Sequence, residues 1–190
     1  MADMNLVRHR ALSFTLLLGT LAAAVGLYNA YVFPGVSWVN YLGLGIILVI
    51  MPVLYIAYAW RKVDEGTTAL VAIATITASF AVQYIYGLFA ITPELALHER
   101  IPPLGSWVPL IFVASFMFLK QRHALAIAGS FYLVTALATI AFFLLNVTTE
   151  ADQSTLVATF HQYVLAHPIF IALLYMVPSL RDEYRNVISE

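Results

Sequence analysis

The chain has 190 residues, of which 62% are hydrophobic and only 10% charged, against roughly 25% charged in a soluble domain. Its net charge of −1 offers no basic face for nucleic acid. The absence of cysteine excludes disulfides, thiolate nucleophiles and cysteine-based zinc or iron–sulfur centres.

Mean hydropathy is +0.88. The first apolar run is followed by further runs rather than by a soluble body, so it is a span and not a removed signal peptide. A helix needs about 20 mostly apolar residues to cross a hydrocarbon core of about 30 Å. Six stretches qualify, residues 11–32, 39–60, 67–91, 103–119, 124–146 and 156–180, of which the fourth is short and carries Pro109. A strand in lipid would need a closed barrel, and these runs lack the polar alternation of one. The predicted fold is therefore an all-α integral membrane protein. A six-transmembrane-helix bundle fills residues 1–180, and the C-terminal helix extends through residues 181–190 as a coiled-coil-like rod.

In the first span, Gly19 with Ala23 and Ala22 with Gly26 form small-xxx-small pairs; Ala124, Ala128 and Gly129 cluster in the fifth. Such residues let helices approach closely, within one bundle or across a dimer. Pro52, Pro109 and Pro168 lie inside spans, where each removes a backbone donor and should kink its helix. Trp38 and Trp107 at the outer boundary and Trp60 at the inner one suit interfacial anchors.

Orientation follows from the cations. Arg8, Arg10, Arg61, Lys62, Lys120, Arg122, Arg181 and Arg185 fall on one side of the six spans, and Arg100 alone on the other. An excess of lysine and arginine marks the cytoplasmic side, so both termini are expected there.

Polar side chains gather towards the outer half. With a rise of 1.5 Å per residue, Gln83 lies roughly 12 Å deep, His161 roughly 8 Å and His167 roughly 16 Å. Tyr84 and Tyr86 sit above Gln83, and Trp107 opens the fourth span. A polar group in hydrocarbon must find a partner. These residues predict an outward-leaning cavity, lined by Gln83, Tyr84, Tyr86, His161 and His167, that takes a small ligand. The plainer alternatives are a histidine bonded to a neighbouring tyrosine or carbonyl, and tyrosines serving the aromatic belt. Gln83 is harder to dismiss, because its amide has four hydrogen-bond positions to satisfy.

His161 and His167 are six residues apart and point roughly 120° away from each other on a helix, so they cannot share one metal. Haem would need a second histidine from another helix or across a dimer, since His98 is in an outer loop and His9 and His123 are on the inner side. No metal site is assigned and no cofactor is required; haem on His161 or His167 is the cofactor option left open. There is no H-E-x-x-H, G-x-S-x-G or P-loop, and no carboxylate falls inside a span. Neither an enzyme nor a proton-coupled transporter is easily built on that inventory.

The last span ends in RDEYRNVISE. Around and after Pro178, Val177, Leu180, Tyr184 and Val187 fall at spacings of three, four and three, the onset of a heptad seam. A helix that leaves the membrane and starts a coiled coil suits signal transmission, with Pro168 and Pro178 as bend points and Leu180, Tyr184 and Val187 on the seam.

Three segments carry a resemblance: RHRAL before the first span, WVPLIFVASFMFLKQRHAL across the fourth and fifth, and YMVPSLRDEYRNVISE at the exit. With six short-looped spans, this layout resembles the MASE-type membrane sensor domains found ahead of diguanylate cyclase (GGDEF) domains in bacteria. It is related to the six-span sensors of histidine kinases. The resemblance implies a homodimer in the bacterial inner membrane. Its last spans would pair and pass a change to a cytoplasmic effector beginning shortly after Glu190, most simply a cyclase acting in cyclic di-GMP signalling. No GGDEF motif occurs in this sequence. The expected function is sensory input: a small apolar or amphipathic ligand, or the state of the surrounding lipid, is detected in the bundle. The alternatives are a self-contained transporter or channel subunit and a haem-binding membrane sensor.

Overall fold

The computed structural model describes residues 2–32, 38–89, 108–145, 157 and 166–176, with no strand among them. Its helices are α1 (Ala2–Val32), α2 (Trp38–Ala59), α3 (Glu65–Phe89), α4 (Val108–Phe118), α5 (Gln121–Leu145) and α6 (His167–Met176). Four are long and apolar enough to cross a membrane: α1 from His9 onward, α2, α3 and α5. At 1.5 Å per residue, the 22 residues of α2 reach about 33 Å, just over the hydrocarbon thickness. The described residues form an all-helical architecture of membrane character. The shorter apolar helices α4 and α6 fall inside the fourth and sixth expected stretches. Trp107, His161, Pro178, Leu180, Tyr184 and Val187 lie outside the described residues.

The chain divides into two compact units, Met1–Tyr86 and Gly87–Glu190. In the first, α1 buries Leu12, Leu16, Ala23 and Ala30. Half-buried Gly19 and Gly26 complete alternating spacings of four and three, the seam of two helices crossing at a shallow angle. The opposing stripe on α2 is Val39, Gly43, Ile47 and Met51. A Cβ on Gly26 would stand 3.1 Å from a Leu44 methyl, and one on Gly19 3.7 Å from Met51 Cγ. The Gly19–Ala23 pair therefore serves packing within this unit, while Ala22 is exposed. Phe14, Leu17, Leu18, Leu21, Val25 and Tyr28 are also exposed on α1. The outer face thus carries mostly large apolar side chains, and Gly19, Ala23 and Gly26 let the inner face approach α2 closely, as suits a lipid-facing helix.

A five-residue turn joins α2 to α3. The amide of Lys62 donates to the Ala57 carbonyl and that of Arg61 to Tyr58, each at 2.9 Å. These paired bonds form a Schellman cap, with Arg61 at the position glycine usually takes; its φ is 56°. Asp64 then caps α3. Its carboxylate accepts from the Thr67 amide at 2.9 Å and the Thr67 hydroxyl at 2.6 Å, which satisfies donors that have no partner in a first helical turn. Pro52 lies inside α2 as expected.

In the second unit, two residues join α4 to α5, and the Lys120 carbonyl accepts from the amides of His123 and Ala124 at 2.8 and 3.0 Å. So short a link makes the helices antiparallel neighbours. Ala124 and Ala128 are fully buried next to the turn, where the backbones are closest. Further along, Phe112 of α4 meets Phe131 of α5 edge to face at 6.1 Å, and Phe142 of α5 meets Phe89, the last residue of α3, at 5.7 Å. Pro109 is the second described residue of α4.

Candidate functional site

Gln83 projects from α3 onto α2 and is 4% exposed. A Cβ at residue 43 would stand 2.2 Å from its Nε2 and 3.1 Å from its Cδ, so the amide fits only because position 43 is glycine. The buried Nε2 finds no hydrogen-bond acceptor among the described residues. A buried donor without a partner costs about 1–3 kcal/mol, and an amide placed this way can donate to a carbonyl, ether or phosphoryl oxygen. It cannot act as an acid or base near neutral pH.

The same helix pair places two more of the expected residues. Tyr84 is fully buried and Tyr86 half-buried. The indole Nε1 of exposed Trp38 donates to Tyr86 Oη at 3.1 Å, with the rings edge to face at 5.7 Å. Tyr41 donates its hydroxyl to the carbonyl of Ala30. That carbonyl is in the last turn of α1, where backbone acceptors lack intrahelical partners. Gln83 was legible in the sequence as a deep amide; Gly43 was missed. Its signal was arithmetic: Trp38 and Tyr86 each stand 24 residues from Lys62, so a hairpin centred on Lys62 brings Gly43 close to Gln83.

In the second unit His167 is 3% exposed on α6. Its ring stands at 88° to Phe112, with centroids 5.5 Å apart. Phe112 is fully buried and also contacts Phe170 at 6.4 Å, so the imidazole sits in an aromatic wall. Pro168, beside it, is half-buried. Gln121, at the start of α5, donates to the Tyr175 carbonyl of α6 at 3.2 Å.

Gln83, Tyr84 and Tyr86 belong to one unit and His167 to the other, while Trp107 and His161 lie outside the described residues. Most buried hydroxyls are already engaged: Thr77, Ser115, Thr135 and Thr139 each donate to the carbonyl four residues back, at 2.7 or 2.8 Å. Among the described residues no three histidines or carboxylates converge as a metal site. No protein-family model, curated protein or solved structure matches the chain.

Proposed function

We propose that this chain is the membrane-embedded input module of a signalling protein, and that it reads a small, largely apolar ligand carrying a hydrogen-bond acceptor. The observation that carries the reading is the buried Gln83 amide, held against Gly43 with a donor to spare. A structural amide in hydrocarbon would be expected to have its donors used, and an acceptor on a ligand relieves the cost. Tyr84 and Tyr86, on the same helix as Gln83, orient the ligand. The sixth span passes the bound state onward through Pro168 and Pro178 to the seam of Leu180, Tyr184 and Val187. Ligand shifts this span only by binding one of its arrangements better than another.

Orientation is N-in and C-in across a bacterial inner membrane, supported by the eight-to-one distribution of cations. A homodimer pairs the last spans, and the effector is a diguanylate cyclase. The test is the reading frame beyond the codon for Glu190. A frame that continues the heptad into a GGDEF or kinase domain supports the module and names its output. A stop codon there overturns the transmission role and leaves the Gln83 site to a self-contained transporter.

A further inference from the structure

A cleft of about 450 Å³ opens where His9 of α1 meets the α2–α3 turn, lined by His9, Tyr58, Arg61, Lys62, Val63 and Asp64. This volume falls within the range of small-molecule sites, roughly 300–1,000 Å³. We propose that this cleft binds a phosphate group, with Arg61 and Lys62 supplying the charge and the His9–Tyr58 pair forming the wall. The inference rests on the membrane character of α1 and α2, and it is independent of the Gln83 site.

Four observations support it. His9 packs on buried Tyr58 with ring centroids 4.6 Å apart, which gives the cleft a fixed aromatic side. Arg61 holds a left-handed backbone, φ 56°, at a cap position that glycine would take without steric cost. Such an outlier points to a use for the side chain it retains, and a guanidinium matches phosphate oxygens in a two-pronged bond. Asp64 does not cancel the cations. Both its oxygens accept from Thr67, and its charge faces the positive end of α3, leaving two cations against one carboxylate. Finally, Trp60 beside the cleft is exposed, as befits an aromatic at headgroup level.

The phosphate could come from an anionic phospholipid or from a soluble phosphate compound, and one experiment separates them. The purified 190-residue chain in a neutral detergent is titrated with phosphatidylglycerol, with phosphatidylcholine, and with inorganic phosphate. Thermal midpoint and lipid retained in native mass spectrometry are both read. Retention of phosphatidylglycerol over phosphatidylcholine by about fivefold or more, with a raised midpoint, makes a lipid the source. A raised midpoint with inorganic phosphate but not with phosphatidylglycerol makes the source soluble and keeps the site. Arg61→Gly should abolish either effect while its own midpoint stays level or rises, because glycine suits that backbone. Lys62→Gln gives the same loss without touching the cap. The proposal is overturned if wild type responds to neither phosphate form, or if both variants respond as wild type does.

Discussion

Gln83 lays its carboxamide nitrogen where a side chain on residue 43 would stand, 2.2 Å from the place of the missing Cβ. The relationship is exclusive: the amide keeps this position only while residue 43 has no side chain. The clashing atom is the end of a flexible chain, so Gly43→Ala moves Gln83 rather than breaking the helix pair. Alanine's better helix propensity, about 1 kcal/mol over glycine, offsets much of the disturbance, and net stability changes by about 1 kcal/mol or less. In a Gln83→Ala background the clash is gone. The two changes should therefore be non-additive by about 1 kcal/mol in reversible unfolding from mixed micelles. Additivity would show that the contact carries no energy.

Gln83→Leu removes a buried donor that has no acceptor and should raise stability by about 1 kcal/mol. On the input role proposed above, the output of a reporter domain fused to the chain should fall in the same variant. A variant that is both more stable and fully responsive would refute the role given to the amide.

Phe112 holds together Phe131, Phe170 and His167. Phe112→Ala leaves a cavity and should cost about 2 kcal/mol. This is below the 3–5 kcal/mol of a water-soluble core, because lipid supplies no hydrophobic drive between helices and only the packing is lost. His167→Phe keeps the ring and should stay within about 1 kcal/mol of wild type. Unfolding midpoints of the two variants, compared side by side, give the order.

Asp64 gives the first hairpin a pH dependence of known sign. The Thr67 hydroxyl and the backbone amide of Thr67 hold its carboxyl below the ordinary 3.8. A carboxyl depressed on folding stabilises the fold fully above its unfolded value and loses that contribution as pH falls through the folded one. Wild type should therefore lose thermal stability below about pH 4 more steeply than Asp64→Asn, which keeps a capping oxygen without the charge. Equal slopes would remove the cap's electrostatic part.

The left-handed backbone at Arg61 sets an order of stability among substitutions there. Arg61→Gly should gain about 1 kcal/mol, and Arg61→Val should lose at least as much, since a β-branched residue tolerates that conformation worst. Thermal midpoints in detergent without added lipid would display the order Gly, Arg, Val.

Long apolar runs announced α2, α3 and α5 to within a few residues, because a helix is the backbone state that a run of that length can adopt in lipid. The first run matches the apolar part of α1, from His9, to within two residues, while the helix itself begins at Ala2. Ala2 to Arg10 contains Ala, Met, Leu and Arg and neither Gly nor Pro, so the helix extends beyond the apolar stretch: a span is defined by its solvent and a helix by its backbone. Gln83 was legible because a deep amide is rare. Gly43 was not, being one of nine glycines whose significance depends on the residue opposite. The buried hydroxyls of Thr135 and Thr139 carry no such meaning, because they are used by their own helix.

The outward placement of Phe14, Leu17, Leu18, Leu21 and Val25 on α1 separates two kinds of information in one helix. Leu12, Leu16, Gly19, Ala23 and Gly26 specify which neighbour is met and how closely. The outer residues specify only the medium. Recoding that outer face, and its counterparts on the other helices, with glutamate, lysine and glutamine would move the α1–α2 pair from lipid into water while leaving its seam untouched.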